Sequence, residues 1–190
     1  MEKPSPLIRA FIGIAIRVSP SLRKLLRDCE LLENGIKTVS EQNLHVTLKF
    51  LSDVSEDQLA KVDRILTATV PRYRIHHISL VGIGAFPHVR RPSVVWIGMQ
   101  PAELLIALAG EIERELRLIG FEPEQRAFSP HLTIGRIKFR PPQKLFDLMR
   151  EHEQTAFGDV EIDEVRLYSS ELTPQGPKYA VLKGYPLGPA

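Results

Sequence analysis

The sequence predicts a globular fold of mixed helices and strands in which one structural unit occurs twice. Its 190 residues are 43% hydrophobic and 25% charged, the usual balance of a chain that buries a substantial core. Segments with a strand pattern and segments with a helix pattern follow one another without a low-complexity stretch or clear linker. A His-x-Thr sequence occurs at two places in matching surroundings. The length suits one domain, or one domain built from two small lobes.

The first third of the chain contains four predicted elements, and two of them have clear helix start signals. Ser19 precedes Pro20 and supplies an N-cap with a first-turn proline. Ser55 and Gln58 form a capping box at the start of a second helix. The predicted elements are a strand over 7–16, a helix from 20 that Gly35 closes, a strand over 44–51 and a helix from 56.

The remainder of the chain contains more strands than helices. Pro101 starts a long helix that Gly120 ends, and Pro141-Pro142 precedes a short one. The last two strands are predicted to form a hairpin through residues 174–177. The predicted elements are strands over 75–83 and 93–99 joined by a loop over 84–92, a helix over 101–119, a strand over 132–139, a helix over 143–152, and strands over 160–169 and 179–185.

Composition and missing motifs exclude several classes of function. The only cysteine, Cys29, excludes an internal disulfide and a cysteine-cluster zinc site. The sequence has no H-E-x-x-H, P-loop, G-x-S-x-G or complete dinucleotide-binding glycine motif, so we expect no cofactor and no metal. No apolar run reaches the roughly 18 residues that span a bilayer, and residues 1–6 lack a signal-peptide pattern. We therefore expect a cytoplasmic monomer that binds no membrane.

The repeated His-x-Thr sequence is the strongest functional signal. His45 and Thr47 come ten and twelve residues after Gly35, and His131 and Thr133 come eleven and thirteen residues after Gly120. Side chains at i and i+2 of a strand share a face, so each strand presents an imidazole beside a hydroxyl. Two such strands facing each other would place two imidazoles and two hydroxyls in one approximately two-fold cleft.

Such a cleft suits an in-line displacement at phosphorus. One imidazole removes a proton from the nucleophile and the other protonates the leaving group, since an unperturbed imidazole exchanges a proton near neutral pH. Threonine hydroxyls donate hydrogen bonds to the non-bridging oxygens, and no metal is required. A single histidine on a strand is more often structural, but the repetition in matched context argues for a functional pair.

The paired sequences 45–51 and 129–136 resemble the HxTx motifs of the two-histidine phosphoesterase superfamily. They are most similar to its RNA 2',3'-cyclic phosphodiesterase branch, also called the 2'-5' RNA ligase family. Four further segments match that branch in order: 9–11, 92–96, 167–170 and 176–179. Ser52 departs from the family pattern, which commonly has glycine there. The resemblance covers nearly the whole chain.

The resemblance implies a bilobal α+β fold in which two antiparallel sheets line a central cleft, with helices packed outside and a pseudo-two-fold duplication. It implies hydrolysis of an RNA 2',3'-cyclic phosphate end, or of a small cyclic nucleotide, to a 2'-phosphate. It also implies that His45 is the general acid, that His131 is the general base, and that Thr47 and Thr133 hold the phosphate. The spacing of the motifs alone leaves the roles of the two histidines open.

Two further residues are candidates for the phosphate site. Arg136 follows His131 on the same strand and could bind a phosphate oxygen. Regular alternation places it on the opposite face, so Gly135 would have to mark a bulge or the strand end. Lys49 shares the alternation of His45 and either extends the phosphate site or is a surface lysine.

Three more residues are candidate substrate contacts. Phe11 either stacks on a nucleobase or belongs to the core. Arg90 and Arg91, beside His88, form either a basic lip for the RNA backbone or an ordinary solvated loop. Trp96 is expected in the core.

Two other functions remain open at this stage. The same chemistry in reverse would join RNA halves through a 2'-5' linkage. A non-catalytic module that binds nucleotides or RNA is the third possibility, although a binding role does not require two acid–base groups.

Overall fold

The computed structural model describes residues 6–32, 35–174 and 176–189. Two predictions fall on residues outside these ranges. One is the absence of a signal-peptide pattern, for residues 1–5, and the other is the hairpin turn, for Gln175. Within the described ranges the chain forms nine strands and four α-helices. The strands are β1 (Ile8–Ala15), β2 (Ile36–Thr38), β3 (His45–Val54), β4 (His76–Phe86), β5 (Val94–Gln100), β6 (His131–Ile137), β7 (Ala156–Ile162), β8 (Glu164–Thr173) and β9 (Gly176–Pro186). The helices are α1 (Pro20–Glu30), α2 (Glu56–Thr69), α3 (Glu103–Leu118) and α4 (Gln143–Glu151).

The strands form two antiparallel sheets, which confirms the predicted α+β class. One sheet has the strand order β3-β1-β8-β9 and the other the order β2-β6-β5-β4-β7. Each sheet therefore contains one of the two His-x-Thr strands, β3 at the edge of the first and β6 next to the edge of the second. β3 and β6 also contact each other, so the two strands that carry the motifs meet where the sheets adjoin.

Local sequence signals set where the first two helices begin. The Ser19 hydroxyl accepts a hydrogen bond from the backbone N–H of Leu22 at 3.0 Å, as expected of an N-cap. Both bonds of the capping box form, from Gln58 N to the Ser55 hydroxyl and from Ser55 N to the Gln58 side chain. α1 ends at Glu30, five residues before Gly35, and the N–H of Leu31 donates to the carbonyl of Arg27.

Several predicted boundaries are wrong. The sequence pattern misses β2, because three residues are too few to show a strand period. The predicted strand over 160–169 belongs to two strands, β7 and β8, which Asp163 separates. β4 continues to Phe86, so the loop that carries Arg90 and Arg91 is shorter than expected.

One hydrophobic core lies between the sheets and the helices. Leu22 and Leu26 of α1 and Leu105 and Leu108 of α3 are buried in it with the core-facing residues of both sheets. Burial of such side chains stabilises the fold by about 1.5–3 kcal/mol each. Cys29 is completely buried here, and burial raises the pKa of its thiol to about 12. No helix in the described ranges is long and apolar enough to cross a membrane.

Candidate active site

A β-bulge follows each His-x-Thr sequence at the same position. Along β3, Gly13 pairs with Thr47 and Ile12 with Lys49, so Leu48 is passed over. Along β6, Trp96 pairs with Thr133 and Val95 with Gly135, so Ile134 is passed over. An extra residue in one strand reverses the alternation of the side chains beyond it. The duplication therefore includes the bulge as well as the motif.

The bulges return two later side chains to the face that carries the histidines. Leu48 and Lys49 are both buried and Phe50 is exposed, which shows the change of phase in β3. In the same way Ile134 and Gly135 are buried and Arg136 is exposed. Arg136 and Phe50 each come five residues after their histidine and correspond to each other in the duplication. The bulge that the Arg136 prediction required is present at Ile134–Gly135.

Both motif histidines are held by the same backbone contact. Nδ1 of His45 lies 2.6 Å from the carbonyl oxygen of Asn43, and Nδ1 of His131 lies 2.7 Å from that of Ser129. A carbonyl oxygen only accepts hydrogen bonds, so Nδ1 carries the proton in both rings. Nε2 of each neutral ring is then the atom that takes up or gives a proton. His76 makes a similar contact at 3.0 Å, but no threonine follows it two residues later.

Aromatic side chains surround both imidazoles. The His45 ring lies 4.8 Å from Phe11 and meets Tyr179 edge-on at 5.1 Å between centroids. The His131 ring meets Phe86 edge-on at 4.9 Å and lies 6.4 Å from Trp96. These contacts restrict the rotation of each ring, so the backbone contact and the aromatic packing together fix where Nε2 points.

Hydroxyl groups and a cation complete the site. Thr47 and Thr133 are half-buried, and no described residue accepts a hydrogen bond from either hydroxyl. Arg136, on the second sheet, acts electrostatically on His45 and on Tyr179, both on the first sheet. Its guanidinium therefore belongs to the same cleft as His45. The strands that carry the two motifs contact each other, and Arg136 of β6 lies near enough to His45 of β3 to act on it electrostatically.

The pKa of His45 lies below its ordinary value, chiefly because the ring is buried. The hydrogen bond to the carbonyl of Asn43 raises this pKa, and the positive charge of Arg136 lowers it. The neutral imidazole is therefore favoured in the free protein. A bound phosphate brings negative charge to the same place, which favours the protonated ring.

Within residues 6–32, 35–174 and 176–189, no cluster of three or more His, Cys, Asp or Glu side chains is arranged to hold a metal ion.

Residues 18–174 match the family model of the 2'-5' RNA ligase superfamily. The chain belongs to this superfamily. The match includes both motifs, their bulges and all four helices, so the duplicated geometry described above lies within the matched region.

Two curated relatives are similar to this chain over almost their whole length. A protein of Archaeoglobus fulgidus is 36% identical over 182 residues, which are 93% of this chain and 98% of that protein. One of Methanothermobacter thermautotrophicus is 39% identical over 183 residues, 95% of this chain and 99% of the other. Both are named RNA 2',3'-cyclic phosphodiesterase.

Solved structures show the same fold. The protein TT0787 of Thermus thermophilus superposes with a TM-score of 0.79 at 24% identity, covering 96% of this chain and 99% of that one. Escherichia coli LigT in complex with 3'-AMP superposes with a TM-score of 0.72 at 25% identity, covering 95% and 98%. The arrangement of two antiparallel sheets predicted for this chain is thus a fold that it shares with these two solved structures.

The structure overturns the prediction for Lys49. The bulge turns this side chain to the opposite face from His45, where only 4% of it is exposed. Its ammonium group lies 2.9 Å from Glu113 and donates to the carbonyl of Glu122 at 2.7 Å. Lys49 is therefore neither part of the phosphate site nor a surface lysine in this superfamily member.

Of the two aromatic residues, Phe11 meets the buried one of its two predicted alternatives, and Trp96 lies elsewhere than predicted. Phe11 is 2% exposed and stacks on Tyr168 at 4.8 Å, so it is covered and offers no free face to a nucleobase. Trp96 is half-buried, outside the core to which the sequence assigns it; it pairs with Thr133 across β5 and β6 and packs over Gly84. Phe11 packs against the ring of His45, and the ring of Trp96 lies 6.4 Å from that of His131.

Sequence reasoning missed Phe50, which is 58% exposed on the same face as His45 and Thr47. A comparison of the two motifs position by position would have found it, because it occupies the place of Arg136. Arg90 and Arg91 are exposed in the loop between β4 and β5, as their candidate role requires. That role remains a prediction.

Proposed function

We propose that the protein hydrolyses the 2',3'-cyclic phosphodiester at RNA ends to a 2'-phosphomonoester, with its two HxTx motifs and without a metal ion. The observation that carries the proposal is the duplicated site, in which each imidazole has Nδ1 on a backbone carbonyl and a threonine hydroxyl on the same face. The activity named for the curated relatives is the one that this arrangement suits.

The proposed reaction is a single in-line displacement. Nε2 of His131 takes a proton from water as the water oxygen bonds to phosphorus. The bond from phosphorus to the 3' oxygen breaks on the opposite side, and Nε2–H of His45 protonates that oxygen. The products are a 3' hydroxyl and a 2'-phosphate. The assignment of the acid to His45 follows the family resemblance, and the negative phosphate provides the charge that keeps His45 protonated.

The remaining groups stabilise charge on the phosphate. Thr47 and Thr133 donate to the non-bridging oxygens, which gain charge in the transition state. Arg136 adds a cation that pairs with the same oxygens. Phe50 lies beyond Thr47 on the same face and offers its exposed ring to the nucleobase of the terminal nucleotide.

The test is turnover of a 2',3'-cyclic nucleotide in the presence of EDTA, with the products separated by chromatography. His45→Ala and His131→Ala should each lose about 10²–10⁴-fold in rate, the usual contribution of a general acid or base. His152→Ala is the matched control, because His152 contacts Thr155 and Phe157 and lies outside the site. Full activity of either motif variant would refute the proposal.

Ligation of RNA halves is the second candidate, because the matched superfamily is named for 2'-5' RNA ligation. It is the same displacement with an RNA 5' hydroxyl in place of water: the 5' oxygen bonds to the phosphorus of a 2',3'-cyclic end, the bond from phosphorus to the 3' oxygen breaks, and a 2'-5' linkage with a free 3' hydroxyl results. Incubation of RNA halves with the protein, followed by comparison of the rates of joining and of cyclic-end hydrolysis, separates the two functions.

A further inference from the structure

We propose that a basic patch beside the cleft, formed by Arg90, Arg91, Lys138 and Arg140, binds the single RNA strand that leads to the cyclic end. This inference rests on the proposed function and names its preferred substrate as RNA of several nucleotides, in place of a mononucleotide. The cyclic phosphate closes the 3' end of its strand. The rest of the strand must therefore leave the cleft on its 5' side and meet the protein surface there.

Backbone hydrogen bonds place the four cations on neighbouring segments. The loop between β4 and β5 carries two of them, and the segment after β6 carries the other two. The N–H of Ile137 donates to the carbonyl of Ser93 at 2.9 Å, so the end of that loop lies beside the end of β6. The basic patch is thus a single surface made of two adjacent connections.

The patch adjoins the active site through Arg136. On β6, Arg136 lies directly opposite Val94, the residue that begins β5 immediately after the loop. It comes two residues before Lys138 and acts electrostatically on His45. A strand bound at the catalytic histidines would pass this arginine before it reached the patch.

The positive charge of the basic patch is not compensated by carboxylates nearby in the sequence. No Asp or Glu occurs from residue 64 to 102 or from 125 to 146, although the chain as a whole has 23 acidic residues. Across the described residues, none of the four cations lies within salt-bridge distance of a carboxylate. Arg23, Arg114 and Arg150, on helices elsewhere, are all paired.

An exposed aromatic ring lies within the patch. Phe139 separates Lys138 from Arg140 and is 75% exposed, which is unusual for so large an apolar side chain. Cations that alternate with an exposed aromatic residue favour unpaired nucleic acid, because the cations bind phosphates and the ring stacks on a base. In a duplex the bases are already stacked on each other, so this surface fits a single strand better.

The first experiment measures binding, independently of activity. A fluorescently labelled, unstructured RNA decamer with a 3'-phosphate end is titrated with the protein at several salt concentrations. Each phosphate contact on a single strand contributes about 0.7 to the slope of log Kd against log salt concentration, so Arg91→Glu/Arg140→Glu should lower the slope by about 1.4. The charge-matched control, Lys61→Glu/Arg64→Glu on α2, should keep the wild-type slope. Equal slopes and affinities for all three proteins would overturn the proposal.

The stacking contribution has its own pair of variants. Phe139→Ala should weaken decamer binding about tenfold, the effect of losing one stacked base. Leu118→Ala removes an apolar side chain of similar exposure, 76%, at the end of α3 and should change Kd by less than about twofold. Wild-type affinity of Phe139→Ala would remove the ring from the proposed surface.

A second experiment separates failure of this inference from failure of the proposed function. The ratio of kcat/KM for a decamer with a cyclic end to kcat/KM for a cyclic mononucleotide should fall in Arg91→Glu/Arg140→Glu. A ratio equal to that of the wild type contradicts the patch and leaves the catalytic proposal intact. If neither substrate is hydrolysed by the wild type, the catalytic proposal fails, and the salt dependence of decamer binding still decides the patch.

Discussion

The ammonium group of Lys49 lies 2.9 Å from the carboxylate of Glu113, and this buried pair joins β3 to α3. The same ammonium donates to the carbonyl of Glu122 and lies 3.4 Å from Glu124. Glu113 in turn accepts a hydrogen bond from the backbone N–H of Glu124 at 2.7 Å. The pair therefore anchors the segment that follows α3 and leads to His131, directly behind the strand that carries His45.

Lys49→Met should destabilise the protein by about 3 kcal/mol. Removal of one partner from a buried ion pair typically costs about 3–5 kcal/mol, and the partial exposure of Glu113 favours the lower end. Urea unfolding followed by circular dichroism measures the change. Lys24→Met is the control, because Lys24 pairs with Asp28 on the surface of α1 and should cost less than about 1 kcal/mol. Similar losses in the two variants would contradict the anchoring role.

Ser52→Gly should stabilise the protein by about 0.5–1 kcal/mol. Ser52 has φ of 60°, in the left-handed region, where a side chain costs about 1–2 kcal/mol. Glycine removes that strain but gains about 0.4–1 kcal/mol of unfolded-state entropy, which reduces the benefit. Thermal unfolding should show a rise in Tm of about 1–4 °C for a chain of this size. Ser52→Ala keeps the strain and should show no rise.

Phe50→Ala should raise KM for cyclic nucleotides, because the exposed ring lies on the face of His45 and Thr47 and is the candidate base-stacking surface. Loss of one base–aromatic stack costs about 1–3 kcal/mol, which corresponds to roughly a fivefold to hundredfold weaker interaction. Phe50→Trp should retain most of the affinity. Phe139→Ala, measured with the same mononucleotide, is the comparison for an exposed phenylalanine that lies outside the cleft.

The positions of the helices and of the motif strands could be predicted from local signals. Ser19 and Ser55 start their helices through bonds within one turn, and the sequence shows such bonds directly. The bulges could not be predicted in this way, because a bulge depends on the pairing of β3 with β1 and of β6 with β5. Regular alternation beyond Leu48 assigned Lys49 to the wrong face and left Phe50 unnoticed.

The degree of burial of an aromatic residue does not indicate whether it belongs to the site. Phe11 is buried and Trp96 is half-buried, yet both lie on the cleft side of their sheets, beneath His45 and beside His131. A sequence pattern distinguishes an apolar face of a strand from a polar one. Here the face that carries the histidines also carries aromatic rings, so this pattern assigns those rings to the core. The contacts with the histidines became visible only with the pairing of the strands.

Arg136→Gln should raise the pKa of His45. The guanidinium favours the neutral imidazole, so its removal favours the charged form, while burial continues to hold the pKa below about 6.5. Titration of the histidine C–H resonances by NMR measures both proteins, with His45→Ala used to assign the signal. If His45 is the acid, kcat/KM falls as pH rises through this pKa, so the falling limb should move to higher pH in Arg136→Gln. Arg91→Gln is the control and should leave the resonance of His45 unshifted.

The roles of the two histidines are separated by a substrate in which sulfur replaces the bridging 3' oxygen of the cyclic phosphate. A thiol has a pKa of about 8.5, so the thiolate leaves without prior protonation and its departure depends little on a general acid. His45→Ala should therefore hydrolyse the sulfur substrate at close to the wild-type rate, whereas His131→Ala should remain slow because water still has to lose its proton. The two variants are compared with both substrates at one pH. Rescue of His131→Ala in place of His45→Ala would reverse the proposed assignment of acid and base while leaving the two-histidine mechanism in place.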